Sequence, residues 1–84
     1  MKTQGLHLLT PGAAGIVCKL CAEGSIRRRL LDMGLTEGCP VRCLLESPGS
    51  EMRAYLIRGA LVSIRRKDAE KILISLPDNE EERK

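Results

Sequence analysis

Apolar positions change their period several times along this chain, and each change marks an element. Ile16, Cys18 and Leu20 recur at every second position, the spacing of strand side chains that share a face. Val41, Cys43 and Leu45 do the same, and Ile72, Ile74 and Leu76 repeat the pattern near the end. These runs predict strands over 14–20, 40–46 and 72–76. Residues 52–57 and 60–65 read as two further strands closed by Arg58-Gly59, with Gly59 as the turn glycine of a tight hairpin. Between the first two strands the period becomes helical: Ile26, Leu30 and Met33 fall at i, i+4 and i+7 and predict a helix over 25–33. Asp68-Ala69-Glu70-Lys71 reads as one helical turn. Pro11-Gly12, Thr36-Glu37-Gly38 and Ser47-Pro48-Gly49-Ser50 punctuate the pattern as turns. Five short strands at this spacing predict a mainly β domain, a small and partly open barrel. A short helix follows its first strand and a one-turn helix precedes its last.

The segment from Gly24 to Gly38 holds that short helix and both its caps. Ser25 is the expected N-cap, and Gly34 the expected C′ residue, free to turn left-handed so that Leu35 folds back onto Leu30. Two turns of helix are marginal alone, so the Ile26–Leu30–Met33 face must be held by packing. The charges oppose the helix dipole. Arg27, Arg28 and Arg29 crowd the positive end and Asp32 sits at the negative end, at about 0.3–1 kcal/mol per exposed misplaced charge. An Arg28–Asp32 pair would recover about 0.2–0.5 kcal/mol. Such a deficit leaves two readings open: arginine stems covering apolar surface with their heads paired to carboxylates elsewhere, or a partner-facing cluster. Arginines rimming aliphatic residues are a common interface form, so Arg27, Arg28, Arg29, Leu31 and Leu35 are the expected contact residues. In angle around the helix, Arg28 and Asp32 point most outward.

Charge and composition narrow the classes. The chain has 84 residues with net charge +3, no Trp, no Phe and one Tyr, so its core must be aliphatic. The stretch 77–84 is polar, without period and net acidic, which makes the remainder more basic than the total. We read 1–76 as the folded domain and 77–84 as a disordered charged tail. The first apolar run, Leu6 to Leu9, is broken by His7 and stopped by Pro11-Gly12, unlike a signal peptide. No stretch reaches the roughly 18 apolar residues of a membrane span. A soluble, cytoplasmic protein is expected. A basic barrel raises nucleic acid as an alternative, but without interleaved aromatics none is expected as a partner.

Four cysteines offer a second alternative, a metal-binding domain. Cys18 and Cys21 have the C-x2-C spacing of a zinc knuckle, whereas Cys39 and Cys43 are looser and their Pro-Val-Arg insert lacks the usual glycine turn. The pattern places Cys18 and Cys43 at inward strand positions, where a thiol reads as a small hydrophobe rather than a ligand. His7 has no partner at ligand spacing and reads as a surface residue. There is no nucleophile with a base and no phosphate loop; neither a metal site, a cofactor nor an enzyme is expected.

Taken together, several ordered blocks resemble the bacterial ferrous iron transport protein A family, FeoA, from about Leu8 to Ile74. The blocks are Leu9-Thr10-Pro11-Gly12, then Arg27-Arg28-Arg29-Leu30-Leu31-Asp32-Met33-Gly34-Leu35 with Gly38, then Ser47-Pro48. Ala54-Tyr55-Leu56-Ile57-Arg58-Gly59-Ala60, Ile64-Arg65 and Asp68-Ala69-Glu70-Lys71-Ile72 complete them. The resemblance implies an SH3-like β-barrel with a helix inserted after the first strand. It also implies a small cytoplasmic accessory of ferrous iron uptake. Such a module would bind, and regulate, the membrane iron transporter that carries a cytosolic GTPase domain, meeting the membrane only through that partner. It carries a link to transition metals without an obligatory ligand set. Two positions depart from the pattern: Gly49-Ser50-Glu51-Met52 lacks a common proline, and Ala60 replaces a common tyrosine.

Overall fold

A computed structural model describes residues 2–76. Its frame is one antiparallel sheet of six strands: β1 (Lys2–Gly5), β2 (Ala14–Leu20), β3 (Pro40–Glu46), β4 (Met52–Ile57), β5 (Ala60–Arg65) and β6 (Ile72–Leu76). The order across the sheet is β1-β6-β2-β3-β4-β5. Helix α1 (Gly24–Asp32) lies between β2 and β3, and the single turn α2 (Arg66–Ala69) between β5 and β6. The mainly β class expected from the pattern, and the SH3-like form that the resemblance implies, are therefore observed, with a sixth strand added. Residues 2–5 are mostly polar and lack alternation, so nothing in their side chains marks a strand. They pair with β6, Lys2 opposite Leu76 through Gly5 opposite Leu73, and satisfy a strand edge that would otherwise lie open.

The two-residue hairpin at Arg58-Gly59 forms as expected. Ile57 faces Ala60 across it, and Arg58 and Gly59 both take positive φ, 54° and 83°. That combination matches the right-handed twist of the flanking strands.

Strand boundaries follow the pattern, but the inward parity does not. Ile16 is 43% exposed and Cys18 half-buried, whereas Val17 and Leu20 face the core. The β2–β6 register shifts between Val17 and Lys19, and this bulge moves the inward face by one residue. On β3, Val41 and Cys43 are buried as expected, but a second shift between Cys43 and Leu45 turns Leu45 out to 64% exposure. On β6, Ile72 and Ile74 are fully buried. The one-turn helix starts two residues before its expected position, because the Glu70 N–H reaches the Arg66 carbonyl at 3.0 Å.

A 3-10 turn over Leu6–Leu8 packs against β6 and α2, with Leu6 and Leu9 buried. It is pinned from β4. Arg53 donates to the His7 and Leu9 carbonyls at 2.6 and 2.7 Å and to Glu46 at 3.2 Å, and the Tyr55 hydroxyl donates to the Leu6 carbonyl at 3.5 Å. The core is aliphatic, with Tyr55 its one aromatic member. The expected tail, 77–84, lies outside the described residues.

Candidate interaction surface

Helix α1 is built as the sequence pattern required at its C-terminal end and differently at its start. Gly34 has φ +102°, its N–H donates to Leu31 at 2.9 Å, and the Leu35 N–H donates to Leu30 at 3.2 Å. These are the paired bonds of a Schellman cap. Leu30 and Leu35 are fully buried against each other's end of the cap, Met33 packs on the core, and Gly38, at φ +89°, opens the turn into β3. At the other end, Glu23 occupies the cap position without a side-chain cap bond, and Ser25 lies inside the first turn, exposed. Gly24 takes φ +65° there, so the entry is set by glycine backbone rather than by the serine hydroxyl.

The geometry corrects the expected contact residues in three respects. Leu35 has no exposed surface, because the Schellman fold-back that places it also buries it; it cannot touch a partner. The Arg28–Asp32 pair is not formed among the described residues. Arg29 pairs instead with Asp68 of α2 at 3.5 Å, tying the two helices. Arg27, Arg28 and Leu31 are brought together: with Gly24 and Asp32 they line an open depression of about 270 Å³, where Leu31 keeps 37% exposure. Arg27 also donates to the Leu20 carbonyl at 3.4 Å. What remains of the expected cluster is thus two exposed guanidiniums beside an exposed leucine.

Arg58 escaped notice as anything but a turn residue. Its Nε–H donates to the Gly34 carbonyl at 3.2 Å and its terminal nitrogen to Thr36 Oγ1 at 2.7 Å, so the hairpin holds the turn that follows α1. The signal available in sequence was an arginine at a left-handed position, where a small residue is usual.

The cysteines do not converge. Cys39 and Cys43 are buried, Cys18 is half-buried and Cys21 is exposed; all four are free thiols. Among the described residues no three His, Cys, Asp or Glu side chains come close enough to hold a metal ion. Burial pushes the Cys43 thiol up from its ordinary value, and burial likewise raises the Tyr55 phenol. Tyr55, 1% exposed, has no free face on which a base can stack. His7 is not the free surface residue expected: it is half-buried, its ring lies over Gly5, and Nδ1 is buried without a partner. No helix among the described residues is long and apolar enough to cross a membrane.

A curled antiparallel sheet with one capped helix between its second and third strands defines a small SH3-like domain. The family model described as FeoA domain matches residues 5–76. The chain belongs to the FeoA family.

Solved structures agree. An FeoA protein from Chlorobium tepidum is 32% identical, with 87% of this chain and 70% of that one covered at a TM-score of 0.81. An FeoA-like protein from Clostridium acetobutylicum is 26% identical, with 90% and 88% covered at 0.83. At 22% identity, the zinc complex of Stenotrophomonas maltophilia FeoA, described as a procaryotic SH3 domain protein, shares the fold with 86% and 89% covered at 0.77. None of the curated proteins matches the chain.

Proposed function

We propose that this protein is a cytoplasmic accessory of ferrous iron uptake, a non-enzymatic module that binds the GTPase-bearing membrane iron transporter and regulates it. Family membership over residues 5–76 is the observation that carries the reading. The α1 face supports a contact site there. Arg27 and Arg28 stand exposed at the helix end where the dipole disfavours them, without a carboxylate partner among the described residues, beside Leu31. Arg29 flanks them through its bridge to Asp68. Cationic rims around a small aliphatic centre dock well on acidic protein surfaces.

The test is capture of the transporter's cytosolic domain by the full chain. Arg27→Glu with Arg28→Glu is expected to abolish capture while leaving the melting temperature within a few degrees, since neither side chain is buried. Unchanged capture would remove α1 as the contact.

A further inference from the structure

A second cationic arrangement lies on the outer face of the sheet, built by residues that the helix surface does not use. Strand registers align Ala14, Arg42, Leu56 and Leu61 in one row across β2, β3, β4 and β5. Leu56 is 38% and Leu61 61% exposed, so the row is open to solvent. Ala14, Pro40, Arg42, Leu56 and Arg58 line a groove of about 300 Å³ over this row. Its floor is aliphatic and its two polar walls are both guanidinium groups.

Those guanidiniums are fixed, and by neutral acceptors. Arg42 donates to the Gly12 carbonyl at 3.0 Å. Arg58 donates to the Gly34 carbonyl and to Thr36 Oγ1. A guanidinium has five N–H donors, so most remain available on each. Among the described residues neither arginine has a carboxylate within ion-pair distance. Elsewhere on the molecule Arg29, Arg53 and Arg66 each have one. Two oriented, uncompensated charges flanking apolar surface are complementary to carboxylates carried on an extended chain. Holding them in place beforehand removes much of the ordering cost of binding. Arg42 stands on β3 and Arg58 in the turn between β4 and β5, so an acidic chain crossing the groove can meet both.

We infer that this groove is a docking site for an acidic extended segment of another protein, with carboxylates on Arg42 and Arg58 and an aliphatic residue over Ala14 and Leu56. The inference stands independently of the transporter and of the α1 contact.

The probe is the synthetic peptide Ser-Glu-Ser-Glu-Ser-Leu-Ser, titrated into the isotope-labelled full chain while the arginine Nε–H and leucine methyl resonances are followed. Arg42 is the residue to change, because it is exposed and caps nothing in α1. Saturable shifts at Arg42, Arg58 and Leu56 are expected, together with about tenfold or greater weakening in Arg42→Ser and with the Gln-for-Glu peptide. Added salt weakens binding further. An unchanged melting curve for Arg42→Ser shows that any loss is local. Equal affinity for the neutral peptide, equal affinity of Arg42→Ser, or shifts confined to α1 overturns the proposal. Movement of the groove resonances on dilution would assign the groove to a second copy, and movement in the full-length Glu80→Gln, Glu81→Gln, Glu82→Gln chain would assign it to residues 77–84. Either result also overturns it.

Discussion

Gly34 concentrates much of what holds α1 in place. Its φ of +102° lets the chain reverse after the helix, and a methyl group added there would meet Arg58 Cδ at 3.2 Å. Gly24 also has positive φ, +65°, but its missing Cβ would point into open space. Both Gly→Ala substitutions carry the backbone penalty of about 1–2 kcal/mol; only Gly34→Ala adds displacement of Arg58 from the helix end. Chemical denaturation is therefore expected to show Gly34→Ala as the larger loss, and equal losses would argue against the Arg58 contact. At this scale the sequence was informative where one residue type has one geometric use. Gly34 with Leu30 identified the cap correctly. Leu35 was misplaced on the surface although the same cap, followed through, demands that it turn inward. Ser25 was misassigned because Gly24 supplies the turn that a serine cap would otherwise stabilise.

Among the elements, the 3-10 turn and the two bulged strands depend on contacts far apart in sequence. Arg53 joins the turn to β3, its side chain 13% exposed, and the Glu46 carboxylate more than offsets what burial takes from its basicity. Arg53→Met leaves the His7 and Leu9 carbonyls without their donor and takes one partner from Glu46. A loss of about 2–4 kcal/mol is expected. Faster exchange of the Leu9 amide, which donates to Leu6, should accompany it. Loss of stability without that local change would place the role of Arg53 elsewhere. Strand positions were readable from alternation, but the facing of Ile16, Cys18 and Leu45 was not. A bulge inserts one residue without altering composition, so period-two counting carries the wrong parity past it. Arg53 itself was invisible, since an arginine bonded to distant carbonyls has no local signature.

Over the whole molecule, burial in the aliphatic core shifts two groups that ionise in alkali, Cys43 and Tyr55. Cys43 and Tyr55 are both raised above their ordinary values of 9.0 and 10.0, burial being the main cause. The unfolded chain releases these protons first, so their contribution is complete below about pH 9 and is lost as pH rises toward the folded values. Urea midpoints measured at pH 8 and pH 10.5 should fall, and Cys43→Val should shrink the difference. A midpoint that rises would contradict the burial of both groups. The fold class was legible from strand count and turn chemistry. The sixth strand was not, because β1 is recruited by the backbone of β6 and not by its own side chains.

That recruitment has a consequence for synthesis. The sheet order sets β6 between β1 and β2, so the N-terminal strand has no neighbour until residues 72–76 have left the ribosome. The β2–β5 meander can assemble as it emerges, whereas β1 must wait through some seventy codons of translation. During that interval the nascent chain exposes the flank of β2 that β6 will later cover.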